Sequence, residues 1–350
     1  MGRLLLLLSC LCFELIRAYY PPFVRPRVPS KSDLACLYFS GAGIYFWWQA
    51  GCAKYIRQYC DVSDIPIIGA SAGSLTSTLL LTGVDFDRAA DCAIDLAHQF
   101  GVYDAGKKSN FVFWGPLLRN WLEQLLPEEL PDAIDQLQIA ITPASPFKAP
   151  TLVSGFAHKE DLIDACMASC HVPLLLDGKP FTEYRGEKYL DGSFWYFVTK
   201  DRFTGLPIPG DMSPKNILWV DYCDDEEFMQ SISGNILETV APDSLRDMMQ
   251  SGYRFMEREH YEGRLPIARF PRNLSVKRNF SPLVVDTPVF PSPKANAGPA
   301  MLPTSLRSIL SNSYAQSSIS AISAISLTAL GLQQGDSSLA PALLPLSFDF

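Results

Sequence analysis

The stretch IPIIGASAGSLTSTLLLTG (residues 65–83) joins a short apolar run to a longer, helix-like one through a turn that contains two glycines. The run Ile65–Ile68 is continuously apolar, which is expected of a parallel strand covered on both faces. We therefore predict a strand there and a helix over Ala72–Leu81. Ser71 lies at the junction between the two elements.

Ser71 has the local setting of a nucleophile. Glycines at 69 and 73 allow a tight strand-to-helix turn that a Cβ would obstruct. The turn exposes the serine at a helix N-terminus, where free N–H groups and the helix dipole favour negative charge. A G-x-S-x-G motif between a strand and a helix is typical of a nucleophile elbow. The simpler alternative is that these small residues only begin a helix.

A second glycine-containing loop precedes this one. A predicted strand over Leu34–Phe39 runs into Ser-Gly-Ala-Gly (residues 40–43), and a helix is predicted over Ile44–Tyr59. Backbone N–H groups of such a loop can bind the oxyanion of an acyl-transfer reaction. A dinucleotide-binding G-x-G-x-x-G motif is excluded because residue 46 is phenylalanine, and no Gly-Lys-Ser/Thr phosphate loop is present.

The general base has two candidates. In EKYLDGSF (residues 187–194), Asp191 follows a short strand, and α/β sheets carry their sites at the carboxyl ends of strands. Burial beside a serine would raise the pKa of this carboxyl and make it a stronger base. The order Ser71, Asp191, His260 also permits a histidine triad, although His260 lies in a highly charged stretch. In isolation, Asp191 could also be an ordinary Asp-Gly turn.

The remaining pattern places these motifs in an α/β fold. Further strands are predicted over Ile139–Thr142, Thr151–Phe156 and Asn216–Tyr222, and helices over Asp161–Ser169 and Ser244–Glu259. Alternation of strands and helices is the signature of this fold class.

Composition excludes several classes of partner and site. The net charge of −8 argues against a nucleic-acid partner, which needs a basic surface. The nine cysteines contain no C-x-x-C zinc pattern. We therefore expect neither a metal nor a cofactor.

Both ends of the chain differ from its middle. The apolar run near the N-terminus is shorter than the roughly 20 residues needed to span a bilayer, and it fits a secretory signal or a membrane anchor. Residues 1–32 are thus predicted to be a leader and linker, and the low-complexity residues 286–350 a disordered tail. Membrane or lipid-droplet association through the secretory pathway and endoplasmic reticulum is expected, with organelle (plastid-type) targeting as the alternative.

Four segments together resemble the patatin-like phospholipase family, in particular its adipose-triglyceride-lipase-like branch. They are LYFSGAGIYFWWQAG (37–51), GASAGSLTSTLLLTGV (69–84), KEDLIDACMASCHVPLL (159–175) and YLDGSF (189–194). The resemblance extends over residues 34–265. It implies a three-layer α/β/α domain, over about residues 33–285, with a mainly parallel central sheet.

The resemblance also implies a chemistry. Ser71 would be the nucleophile and Asp191 the base of a Ser-Asp dyad without histidine. Gly41, Ala42 and Gly43 would form the oxyanion hole, together with the N–H of Ala72. Such a site cleaves carboxylic esters of triacylglycerol or phospholipid through an acyl-serine, with transacylation as a further activity. The implied partners are a lipid ester and a membrane or lipid-droplet surface, and protein partners stay unknown.

Two positions depart from the family pattern. Ser193 follows Asp191-Gly192 where the family usually has Gly or Ala, and Phe46 stands where related lipases have glycine. These departures leave open a second hypothesis, a catalytically weak or inactive lipid-surface protein that keeps the fold.

Overall fold

The computed structural model describes residues 28–103, 114–144, 150–199, 206–210, 212–232 and 241–268. The predicted tail and all but the last five residues of the predicted leader lie outside these ranges. The limits proposed for the leader, domain and tail therefore stay predictions.

The described strands form one sheet of seven strands. They are β1 (Cys36–Phe39), β2 (Ile67–Ala70), β3 (Leu137–Pro143), β4 (Thr151–Val153), β5 (Thr182–Tyr184), β6 (Glu187–Leu190) and β7 (Ile217–Val220). Their order is β5-β6-β3-β2-β1-β7, and β4 also pairs with β3. The four strands β3, β2, β1 and β7 are parallel, whereas β4, β5 and β6 pair in antiparallel fashion.

The described helices connect and cover these strands. They are α1 (Phe46–Tyr59), α2 (Ala72–Leu81), α3 (Phe86–Gln99), α4 (Trp114–Leu125), α5 (Lys159–Ser169), α6 (Phe194–Thr199), α7 (Glu226–Ser231) and α8 (Pro242–Tyr261). Short 3₁₀ turns lie at Gly43–Tyr45, Asp132–Gln136, Pro214–Asn216 and Tyr222–Asp224.

The central strands are buried on both faces, as their continuous apolar sequences predict. In β1, Leu37 and Phe39 point into a large core shared with α1 to α5 and α8. Cys36 and Tyr38 point into a smaller core on the opposite face, where Tyr196 of α6 covers the sheet. This alternation gives the predicted three-layer α/β/α architecture with a mainly parallel centre.

The observed bounds differ from the predicted ones where local sequence is a poor guide. α2 begins and ends at the predicted residues. β2 lies two residues later than predicted, because Gly69 and Ala70 still pair with β3 before the chain turns. The predicted helix after the first loop begins with a 3₁₀ turn, and α1 starts only at Phe46.

Two further observations concern the described ranges only. None of their helices combines the length and the apolarity required to cross a membrane. Within the same ranges, no group of three or more His, Cys, Asp or Glu side chains is arranged to hold a metal ion.

Candidate active site

Ser71 occupies a strained elbow between β2 and α2. Its backbone angles are φ 52° and ψ −124°, a conformation that residues other than glycine rarely adopt. Such strain costs about 1–3 kcal/mol and is found mainly at functional sites. A Cβ on Gly69 would lie 2.5 Å from the carbonyl oxygen of Gly73, and one on Gly73 would lie 2.1 Å from that of Phe39. The elbow therefore needs glycine at both positions.

The structure brings Ser71 and Asp191 into direct contact. The Ser71 hydroxyl donates a 2.7 Å hydrogen bond to Oδ2 of Asp191. The other carboxylate oxygen accepts a 2.7 Å hydrogen bond from the N–H of Ser193. Burial raises the pKa of the Asp191 carboxyl from its ordinary value of 3.8 to about 7, although both hydrogen bonds lower it. A carboxylate with a near-neutral pKa in contact with a hydroxyl is suited to general-base chemistry.

Asp191 reaches the serine from an unexpected direction. It follows β6, which is antiparallel to β3 and pairs Leu190 with Thr142. The carboxylate thus lies at the end of the antiparallel β5–β6 hairpin, where β6 pairs with the end of β3. It does not lie at the end of a parallel strand. The Thr142 hydroxyl fixes this approach by donating a 2.9 Å hydrogen bond to the carbonyl oxygen of Asp191.

The loop Gly41–Gly43 lies beside the elbow with its donors available. In the described part of the chain, the N–H groups of Gly41, Ala42, Gly43 and Ala72 donate to no backbone or side-chain acceptor. Gly43 has a φ of 52°, which explains the glycine there. These unused donors can stabilise an oxyanion that develops near Ser71.

Ser193 closes the space between the loop and the base. A Cβ on Gly41 would lie 2.1 Å from the hydroxyl oxygen of Ser193 and 3.5 Å from Cβ of Ser71. The Ser193 side chain is fully buried, and its hydroxyl has no hydrogen-bond partner among the described residues. The serine found here in place of the usual glycine or alanine is thus accommodated, and its N–H still holds the carboxylate.

Ser169 is a site residue that sequence reasoning missed. Its buried hydroxyl accepts a 2.8 Å hydrogen bond from the N–H of Ser71 and donates one of 2.7 Å to the carbonyl oxygen of Ala140. Its carbonyl oxygen accepts from the N–H of Gly192 at 2.8 Å. Ser169 therefore connects the elbow, β3 and the turn that carries Asp191. The segment containing it contributes to the family resemblance, but a serine at the end of a helix has no distinguishing local pattern.

The histidines do not complete a triad. The ring of His260 hydrogen-bonds through Nδ1 to the Tyr55 hydroxyl at 2.8 Å. The ring of His171 lies 3.2 Å from the carbonyl oxygen of Lys179. All four histidines belong to the described residues, and there none has a side-chain hydrogen bond to Ser71 or Asp191.

An apolar cavity of about 230 Å³ opens in front of Ser71. No charged side chain is among the described residues that line it. Five aromatic side chains line it, those of Phe46, Trp47, Tyr103, Trp114 and Trp121, and aliphatic side chains from several helices and loops complete it. Representative members are Phe46, Trp47, Trp121, Leu75, Leu176 and Leu245. This surface is suited to a hydrocarbon chain whose polar end lies at the serine.

Comparisons with known proteins relate this chain to a described family. Residues 37–198 match the family model described as patatin-like phospholipase. The omega-hydroxyceramide transacylase of Mus musculus is 29% identical over 163 residues, which cover 45% of this chain and 26% of that protein. Patatin-like phospholipase domain-containing protein 4 of Homo sapiens is 30% identical over 161 residues, which cover 45% of this chain and 63% of that protein.

A third relative extends the matched region. Patatin-like phospholipase domain-containing protein 2 of Homo sapiens is 29% identical over 203 residues, which cover 54% of this chain and 38% of that protein. The chain thus spans between 26% and 63% of the length of these relatives. Over residues 37–198, the chain is therefore similar to the patatin-like phospholipase family.

Proposed function

We propose that this chain is a serine acyl hydrolase that cleaves carboxylic esters of lipids, with Ser71 as nucleophile and Asp191 as general base. The observation that carries the proposal is the 2.7 Å hydrogen bond between these side chains, beside an apolar cavity that Ser71 lines. The strained elbow and the free N–H groups of the neighbouring loop support it.

In the first step, the Asp191 carboxylate accepts the Ser71 proton as Oγ attacks the ester carbonyl carbon. The carbonyl oxygen becomes negative and is held by N–H groups of Gly41, Ala42, Gly43 and Ala72. Collapse of this tetrahedral intermediate breaks the bond to the alcohol, which takes the proton from Asp191. An acyl-serine remains.

In the second step, Asp191 removes a proton from an acceptor that attacks the acyl-serine. The bond between the acyl carbon and Oγ then breaks, and Ser71 takes the proton back from Asp191. Water as acceptor releases a fatty acid, and an alcohol as acceptor gives transacylation. One relative is a transacylase, which supports testing both acceptors. Triacylglycerol and phospholipid both supply the ester required, and we place the reaction at a membrane or lipid-droplet surface because these substrates do not dissolve in water.

The direct test measures fatty-acid release from emulsified triacylglycerol and from phospholipid vesicles, with and without an added long-chain alcohol. We expect release by the full chain and none by the Ser71→Ala variant. A fluorophosphonate probe should label Ser71 and no other serine. Folded protein that neither releases fatty acid nor reacts with the probe would instead support the inactive lipid-surface protein.

A further inference from the structure

The cavity in front of Ser71 has one wall made of three interlocked aromatic rings, Phe46, Trp47 and Trp121, which we call the aromatic wall. The ring of Phe46 meets those of Trp47 and Trp121 edge to face, with centroids 4.8 and 5.5 Å apart. The two indoles are in contact with centroids 6.2 Å apart. Edge-to-face contacts of this kind favour a defined arrangement of the rings.

The aromatic wall is anchored to the elements around it. The indole N–H of Trp121 donates a 2.8 Å hydrogen bond to the carbonyl oxygen of Ala89 in α3. Phe46 is the first residue of α1 and follows the loop Gly41–Gly43 after only the Gly43–Tyr45 turn. The distance between the proposed oxyanion donors and the aromatic wall is thereby set by a short, ordered segment.

The size of the cavity limits what it holds. An engineered apolar cavity of roughly 150 Å³ accommodates benzene. By that measure, the cavity of about 230 Å³ accommodates roughly eight to ten carbons of a saturated chain. A longer chain must displace part of the wall or leave the cavity.

We propose that the aromatic wall restricts the site to medium-length acyl chains, and that Phe46 is the specificity-determining residue. This inference rests on the proposed acyl hydrolase function. Phe46 is 6% exposed, lines the cavity and contacts both of the other rings. Its removal would extend the cavity without touching Ser71 or Asp191.

The test is a series of 4-nitrophenyl esters with acyl chains from four to sixteen carbons. The full chain should give its highest kcat/KM at eight to ten carbons and at least a tenfold lower value at sixteen. Phe46→Ala and the milder Phe46→Leu should move the optimum to longer chains, and Ala97→Leu, which fills the cavity, to shorter ones. Phe228→Ala, an equally buried phenylalanine outside the cavity lining, should leave the optimum in place.

A binding measurement separates this inference from the proposed function. Fatty acids of the same lengths are titrated into the Ser71→Ala variant, with and without Phe46→Leu, by displacement of a fluorescent fatty acid. A length optimum that shifts with Phe46→Leu supports the aromatic wall even if no ester is hydrolysed. An optimum that does not move in folded Phe46 variants, in either measurement, overturns the inference and leaves the hydrolase proposal standing.

Discussion

The hydroxyl of Ser71 and the carboxylate of Asp191 share a 2.7 Å hydrogen bond although 120 residues separate them in the chain. Ser71 is held by local glycines at an elbow, whereas Asp191 is delivered by a hairpin that is antiparallel to β3. Neither element alone forms the pair. The chemistry we propose therefore depends on both positions, and several substitutions test that dependence.

Replacing Asp191 by asparagine should reduce kcat/KM for ester hydrolysis by about 10²–10⁴-fold, the usual contribution of a general base. An amide keeps the shape of the side chain but cannot accept the serine proton. Ester hydrolysis is measured beside that of His260→Ala, whose ring contacts Tyr55 and not the dyad. Loss of activity in His260→Ala with retention in Asp191→Asn would contradict the dyad.

The pH profile of kcat/KM should rise through about pH 7. The base must be ionised, and burial raises the pKa of Asp191 to about 7. Activity is then lost by about tenfold for each unit of pH below that value. Initial rates on a soluble ester between pH 5 and pH 9 test this expectation. A profile that is flat down to pH 5 would show that no group titrating near neutrality acts as base.

Asp191→Asn should also make the stability of the protein less sensitive to pH. The folded-state pKa of Asp191 lies above the unfolded value of 3.8, so its contribution to stability is complete below pH 3.8 and declines until about pH 7. Between pH 4 and pH 8, the free energy of unfolding of the wild type should therefore fall by a few kcal/mol relative to that of Asp191→Asn. Urea unfolding at both pH values measures this, with the exposed Asp64→Asn as control. If the stability of wild type and Asp191→Asn depends equally on pH, burial does not raise the pKa of the Asp191 carboxyl.

Gly41→Ala should abolish activity because its Cβ would meet the hydroxyl oxygen of Ser193 at 2.1 Å. Ser193→Gly removes this clash and keeps the N–H that binds Asp191, so the double variant should recover much of the lost kcat. The four rates form a double-mutant cycle. Gly210→Ala, where a Cβ meets nothing within 4 Å, is the control. If the losses of activity of the two single variants add in the double variant, contact with Ser193 is not the reason that residue 41 must be glycine.

Ser169→Ala should lower kcat by roughly 10–100-fold with little change in KM, since a small misplacement of a reacting group can have that effect. The variant leaves the N–H of Ser71 and the carbonyl oxygen of Ala140 without their shared partner. Ser77→Ala removes an equally buried hydroxyl that bonds only within α2, and it should keep its activity. The rate of fluorophosphonate labelling provides a second readout. Equal labelling rates in Ser169→Ala and Ser77→Ala would show that Ser169 does not help to position Ser71.

Local sequence predicted the elbow because its determinants are local. Glycines at 69 and 73 and the apolar runs beside Ser71 predict strand, turn and helix from residues that are close together in the sequence. The same holds for the parallel centre of the sheet, whose strands are continuously apolar.

The rest of the site depends on contacts across the fold. Whether Asp191 follows a parallel or an antiparallel strand is decided by pairing between β3 and β6, and no local pattern encodes it. Helices α3 and α4, which supply part of the cavity lining, have no counterpart among the sequence-based predictions. The hydrogen bonds of Ser169 likewise follow from tertiary placement, since the residue is unremarkable in its own helix.

Because Asp191 lies at the end of the β5–β6 hairpin, the proposed catalysis requires that this late part of the chain has folded. A ribosome must synthesise the chain beyond β6 before the acidic partner can dock against the elbow. Shorter nascent fragments would contain Ser71 without the carboxylate that we propose as its proton acceptor. If the proposed chemistry is correct, ester cleavage can begin only after β6 has docked, and turnover would then report that this part of the fold is complete.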